Sequence, residues 1–587
     1  MSKFKCTEAQ GAVIQHIQGP LLVTAGPGSG KTTVLTHRLV HLVRDQGIDP
    51  EKILVITLTR AAAEEMRQRF FALMEGQQCP VHIHTFHAAF LKTLRQEGLR
   101  GKILTEEEEL QIICTFLSEE EGYSSTEASF LAPRILHGIS AFRNTGSYRC
   151  AEVETDLFTK AGTYYEEAKR LAGKIDFDDM LIRMLEKLKE DSAFCARVRA
   201  RFDYILVDEA QDCNFIQYEI VHMLCAKSRN LMLVGDDDQS IYGFRGSSPA
   251  CMLQFTKDFP EVKRIDLAIN FRSRPRIVMA SRKLIEHNTE RFQKDLVSAR
   301  DGRAEIRTEA FPSARKQAGF LCREILAWHR QIPYREMAVL CRTRRQFGVL
   351  ERAFRTARIP YAAEDTEPWI SDMENDLRAY LTFSIDPQNT ECLYRIWNRP
   401  RRGIKEAYRV REGSPTAIEA VLQQHPQDQD LRLALEELAF HLGQIRAMNP
   451  AQALKYIWRR MGYRTYRRDI QEQEWMDWRT VQDAFAAILK EAACYTTIES
   501  YLERTPVQKQ DTVRLMTLHG AKGLEFDAVW IPDMNEGTLP FEKSMHMIEE
   551  ERRLFYVGLT RARRYVSLLY IHSGAAGSKP SRFLQEI

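Results

Sequence analysis

The sequence predicts an α/β fold: two parallel-sheet domains of the phosphate-loop type, each interrupted by a mainly helical insertion. Three observations lead there. Near the N-terminus a short apolar run, a Gly-rich loop and an apolar-periodic helix follow one another. Strand and helix patterns then alternate, the order of a parallel sheet covered by helices. Two long stretches, 89–173 and 404–510, lose strand signals and read as successive helices, so each sheet is expected to be assembled from separated segments.

The elements follow in order. Pro20 to Ala25 is a buried-strand pattern, Gly26 to Thr32 the loop, and a helix runs on to about Val43. Ile53 to Thr57 is a second strand and leads into an Ala-rich helix from Ala61 to Phe70. Helical patterns such as Glu106 to Leu117 and Tyr164 to Ala172 fill the first insertion. Strands return at Tyr204 to Val207 and Leu231 to Val234, giving a first domain of 1–88 and 174–268. Strand candidates at Ala338 to Cys341, Val513 to Met516, Ala528 to Ile531 and Val566 to Tyr570 build a second domain, 269–403 and 511–587.

Composition sets limits. With 44% hydrophobic and 28% charged residues, the 587-residue chain can build several cores and is not largely disordered. A net charge of +3 neither announces nor excludes a nucleic-acid partner, since one narrow basic groove suffices to grip a backbone. The twelve cysteines are scattered without C-x-x-C or metal-site spacing, the usage of a cytoplasmic protein with reduced thiols. The N-terminus lacks the apolar run of a signal peptide and no segment has the length and apolarity of a membrane span, so a cytoplasmic protein without membrane contact is expected.

The residues Ala25, Gly26, Pro27, Gly28, Ser29, Gly30, Lys31 and Thr32 fit a phosphate-binding loop with Ala in the first Gly position. Its glycines let backbone N–H groups wrap phosphates, Lys31 reaches the terminal oxygens and the Thr32 hydroxyl can hold Mg²⁺. Asp208-Glu209 follows a predicted strand, where one carboxylate can serve Mg²⁺ and the next can orient or deprotonate water. ATP and Mg²⁺ are therefore the expected cofactors, with hydrolysis rather than binding alone.

Four ordered segments carry a family resemblance: Asp208 to Asp212 (DEAQD), Val234 to Gly246 (VGDDDQSIYGFRG), Thr517 to Phe526 (TLHGAKGLEF) and Glu550 to Arg563 (EERRLFYVGLTRAR). Together with Thr85-Phe86-His87, Asp176 to Asp179 and Asn270 to Ser273, they resemble the motifs of the UvrD/Rep family of superfamily 1 DNA helicases, whose two domains are RecA-like. The resemblance implies an ATP-dependent 3′→5′ helicase or translocase working on single-stranded DNA and single-strand/duplex junctions. It implies that Gln10 and Phe271 contact the base, with Thr33 standing where the family often carries Arg. It further implies that Gln239 senses the γ-phosphate, that Arg272 and Arg561 are arginine fingers, and that Glu525 holds the ribose or the neighbouring motif. Thr85, His87, Phe244, Arg245 and His519 would line the DNA track.

Some positions depart from the family pattern. Leu58 stands where Phe is common, and Phe244 where Trp is usual. The second insertion is reduced, and the C-terminal hairpin shrinks to Ser573–Lys579 without an aromatic tip. These departures keep open a translocase, or the motor subunit of a complex with a nuclease or repair factor as protein partner. An ATP-switched scaffold is disfavoured by intact Lys31, Glu209, Gln239, Arg272 and Arg561. Two basic stretches, Arg401 to Lys405 and Trp458 to Arg468, are read as duplex contacts or as solvated surface.

Overall fold

The computed structural model describes residues 6–75, 79–99, 101–145, 153–243, 246–247, 249–363, 368–404, 408, 416–474, 478–503, 511–541, 547–572 and 579–587. The chain divides into two compact units, 1–361 with 511–587, and 362–510.

The α/β part of the chain holds two six-stranded sheets. The first contains β1 (Leu21–Ala25), β2 (Ile53–Thr57), β3 (His82–Thr85), β4 (Tyr204–Val207), β5 (Leu231–Gly235) and β6 (Lys263–Leu267), in the order β3-β2-β4-β5-β1-β6. All of its pairings are parallel, with Val23 opposite Val234 and Ile265. The second contains β7 (Glu305–Phe311), β8 (Met337–Cys341), β9 (Tyr361–Ala363), β10 (Val513–Thr517), β11 (Phe526–Ile531) and β12 (Ala562–Ile571), in the order β7-β12-β11-β8-β10-β9. Its described pairings are parallel too. Interior strands such as Leu21–Ala25 and Met337–Cys341 are buried at every position, because helices cover both faces. Each sheet therefore delivers its loops to one edge, the C-terminal ends of the strands, where ligands of such folds bind.

Between β3 and β4 the helices Glu106–Thr115, Ser125–Thr145 and Thr155–Ala172 pack on their own core of Ile113, Leu117, Ile135, Phe158 and Tyr165.

The second unit is helical. Its core joins Tyr380, Leu381 and Trp397 to Leu435, Leu438, Ile457 and Trp458. The segment 362–403, expected with the second α/β domain, thus shares a core with the helices that follow it. Within the basic stretch, Trp458 stacks on Phe485 with ring centroids 4.0 Å apart, and Arg467 is buried near Asp372. Arg459, Arg460, Arg464 and Arg468 remain exposed. Arg402 donates to the carbonyls of Ile396 and Trp397, while Lys405 lies outside the described residues. Ser573 to Ser578 of the C-terminal hairpin do so as well.

Candidate active site

The phosphate loop joins β1 to the helix Lys31–Val40. Gly28 and Gly30 adopt φ of +66° and +82°, left-handed conformations that a side chain would strain. At Gly28 the need is also spatial: a Cβ there would lie 2.6 Å from the Cβ of Arg272. The loop is braced from both sides. Gln10, buried at the start of the helix Glu8–Gln15, donates its Nε2 to the Ser29 carbonyl at 3.0 Å, and the Phe271 N–H donates to the Gly28 carbonyl at 2.9 Å. Ala25 ends β1 in the core, and Thr32 and Thr33 sit half-buried on the first helical turn. Phe271 stays largely exposed beside the loop, as a surface for stacking must.

Opposite Lys31 lies the end of β4. Lys31 Nζ is 3.1 Å from Glu209 Oε2. Burial works against the Lys31 charge, but the Glu209, Asp236 and Asp208 carboxylates raise its pKa. Asp208 is buried, and desolvation together with the adjacent Glu209 charge raises its pKa. Glu209 is also desolvated, yet the Lys31 and Lys522 ammonium groups hold its pKa low and keep it ionised. Glu209 has φ +50°, unusual for a residue with a side chain, and such strain concentrates at functional positions.

The second sheet brings two arginines to the same place. Arg561, 1% exposed, donates from Nη2 to Gln239 Oε1 at 3.0 Å, from Nε to the Val557 carbonyl at 2.9 Å and from Nη1 to the Leu524 carbonyl at 3.2 Å. Among the described residues it has no carboxylate partner. Burial, with the nearby Arg272 charge, lowers its pKa to about 9. Arg272 donates to Glu525 and to the Thr560 carbonyl, and Glu525 also accepts from Arg563 at 2.7 Å.

Sequence reasoning assigned no role to Lys522, which sits inside the quoted TLHGAKGLEF segment. Its Nζ donates to Asp212 and, at 2.8 Å, to the Gln239 carbonyl. A lysine flanked by Gly520 and Gly523 within that segment was the available signal.

The donor set fits a nucleoside triphosphate with a divalent cation. Ser29 Oγ in the loop is buried without a hydrogen-bond partner, and among the described residues no carboxylate contacts the buried Arg561 guanidinium. A triphosphate would supply the missing anion, with Thr32 and Asp208 the residues to hold its metal.

Thr85, His87 and Leu58 line an open cavity of about 740 Å³ beside β3. His519 is half-buried in the loop after β10. Phe244 and Arg245 lie outside the described residues.

Comparison with known proteins agrees with this arrangement. Residues 6–260 match the UvrD/REP helicase N-terminal domain, and residues 265–412 and 466–573 match the UvrD-like helicase C-terminal domain. The chain belongs to the UvrD/REP helicase family. The ATP-dependent DNA helicase PcrA of Staphylococcus epidermidis is 31% identical across 98% of this chain and 86% of its own length. PcrA of Staphylococcus aureus is 30% identical across 98% and 85%, and PcrA of Leuconostoc citreum 29% across 98% and 84%. The N-terminal model covers five of the six strands of the first sheet and the C-terminal model covers the second sheet, so the UvrD/REP pattern spans both sides of the cleft between Lys31 and Arg561. No helix among the described residues is long and apolar enough to cross a membrane.

Proposed function

We propose that this chain is an ATP-dependent DNA helicase that couples hydrolysis at the Lys31–Arg561 cleft to 3′→5′ movement on single-stranded DNA. The observation carrying the reading is the buried, uncompensated Arg561, held by the second domain and hydrogen-bonded to Gln239 of the first.

The chemistry follows from the positions. Bound Mg²⁺·ATP supplies the phosphoryl group and the metal charge that screens it. Lys31 and the loop N–H groups bind the phosphate oxygens. Glu209, kept ionised by its two lysine neighbours, orients the attacking water and takes its proton. Arg561 and Arg272 meet the charge developing on the transferred group only while the two domains are together, so hydrolysis depends on closure and closure becomes a mechanical step. Gln239 contacts Arg561 through its side chain and Lys522 through its carbonyl, which makes it the residue best placed to report the nucleotide state across the cleft. Thr85, His87, Phe244, Arg245 and His519 are the proposed DNA contacts.

The test is strand displacement from duplexes with either a 3′ or a 5′ single-stranded tail, with ATP hydrolysis followed in the same tubes and Lys31→Ala as the blank. Displacement from the 3′ tail alone is expected. Displacement from the 5′ tail alone would overturn the polarity. DNA-stimulated hydrolysis without displacement would replace the helicase by a translocase or the motor subunit of a complex. Full turnover by Lys31→Ala would remove the site itself.

A further inference from the structure

A third basic stretch lies in the second α/β domain and belongs to neither the nucleotide cleft nor the proposed DNA contacts. Between Cys341 and Ile359 the chain carries six arginines and one glutamate, a net charge of +5 against +3 for the whole chain. Arg342 pairs with the buried Glu551 at 2.6 Å. The other five lie on the helix Phe347–Ala357 and at its two ends, and all are exposed. Arg355 meets Glu351 at 3.7 Å, while Arg344, Arg345, Arg352 and Arg358 have no carboxylate partner among the described residues.

Phe347, Leu350 and Phe354 bury one side of this helix. The opposite side centres on Gly348. Arg344 and Arg345 precede it by four and three residues, and Arg352 and Arg355 follow it by four and seven, the spacing that gathers side chains on one helix face. Arg352 donates its Nε to the Gly348 carbonyl at 3.0 Å, which holds the guanidinium beside the glycine. Three features of this face run against helix stability. Gly348 lies in helical backbone, where glycine is unfavourable, yet a Cβ there would meet nothing within 4 Å, so packing does not require it. Arg344 and Arg345 stand at the N-terminal end, where the helix dipole disfavours cations. Arg358 takes φ +54° at the C-terminal cap, a left-handed conformation that glycine adopts without strain. An anionic backbone lying across the face accounts for all three: the glycine permits close approach, and the guanidinium groups around it meet phosphates.

The face offers no ring on which an unpaired base could stack, since both of its phenylalanines are buried. From Arg345 to Arg358 it runs roughly 20 Å at 1.5 Å per residue, the length of about six steps along one strand of a duplex. Such a surface holds phosphates and reads no bases. We propose that the arginine face of the helix Phe347–Ala357 is a second DNA site, which grips the phosphate backbone of duplex DNA outside the single-strand track. It goes beyond the helicase reading and requires no nucleotide.

The test is fluorescence anisotropy of a fluorescein-labelled blunt duplex, without nucleotide and across a salt series, with single-strand-stimulated ATP hydrolysis measured in parallel. The triple variant Arg352→Ala/Arg355→Ala/Arg358→Ala should bind the duplex roughly tenfold or more weakly, and its slope of log affinity against log salt should flatten by about 2.7, three duplex phosphate contacts. Gly348→Glu should weaken duplex binding too, by setting a carboxylate among the arginines, while its thermal midpoint holds or rises because glutamate is the better helix former. Hydrolysis by both variants should stay within about twofold of the parent, since none of these residues touches the cleft. A parent that does not bind the blunt duplex, or a triple variant whose duplex affinity and salt slope match the parent, would overturn the second site while single-strand-stimulated hydrolysis keeps the helicase reading standing. A loss of that stimulation matching the loss of duplex binding would also overturn it, by making the face part of the single-strand track.

Discussion

Two buried charged clusters lie side by side, one after β5 of the first sheet and one around Arg561 just before β12 of the second, and they are balanced in opposite ways. After β5, Asp236, Asp237 and Asp238 surround the Nζ of Lys294 at 2.7, 2.6 and 2.9 Å, and Arg291 adds a two-pronged contact to Asp238 at 2.8 Å. The three carboxylates could be taken for a metal site, but two cations already occupy their lone pairs. Next to them, Arg561 donates, among the described residues, only to neutral acceptors. Removing charges from water costs several kcal/mol per ion unless a partner restores it, about 3–5 kcal/mol being lost when a buried pair is broken. A closed set of partners therefore marks a structural cluster, and an open one marks a place where a charged ligand completes the set. The clusters also touch: Asp236 accepts from Gln239 Nε2, whose Oε1 faces Arg561. The rigid cluster thereby fixes which end of the Gln239 amide points to the cleft.

This contrast can be broken in several ways. The largest effect is expected at Lys294. Lys294→Met leaves three buried carboxylates with only Arg291 to oppose them, and should destabilise the protein by about 3–5 kcal/mol. Urea denaturation checks this; a loss under 1 kcal/mol would mean the cluster is not closed as described. Next is Glu209→Gln, which should lower the hydrolysis rate about 10²–10³-fold while ATP binding, followed by fluorescence of a nucleotide analogue, persists. Weak ATP binding by this variant would make Glu209 a structural partner of Lys31. The smallest effect is expected at Gln10. Gln10→Ala removes one hydrogen bond to the loop and should raise KM for ATP roughly two- to tenfold with little change in kcat. A kcat loss exceeding the KM change would place Gln10 in the chemistry.

The sequence disclosed the two sheets unevenly. The interior strands β1, β2, β4 and β5 in one sheet and β8 in the other are largely apolar and buried along their whole length, and β10, β11 and β12 each contain a largely apolar run beside charged residues such as Arg514, Asp527 and Arg563, so all were readable. The four edge strands, β3, β6, β7 and β9, were not. His82–Thr85 alternates between half-buried and buried, Lys263–Leu267 begins with two exposed residues, and Glu305–Phe311 has no fully buried position. An edge strand covered on fewer sides lacks the signature that an interior parallel strand must have. The same logic applies at the site. The phosphate loop and Asp208-Glu209 were legible because each is a local pattern. Arg561 and Gln239 were legible only through family resemblance, since 322 residues separate the two members of that hydrogen bond. Lys294 carried no signal at all: a lysine in a loop reads as solvent-exposed until the fold buries it. The start of the second unit at 362 was hidden for a related reason, because helices of either unit show the same periodicity.

The central claim is that Arg561 is held uncompensated for the sake of a bound anion. It is tested most directly by Arg561→Met, measuring single-strand-stimulated ATP hydrolysis together with the thermal midpoint in the absence of nucleotide. Hydrolysis should fall about 10³-fold or more, as for loss of an arginine finger, while the midpoint holds or rises because an unpaired buried charge has gone. A clear drop in the midpoint with hydrolysis largely kept would contradict the account and make Arg561 a structural residue of the second domain.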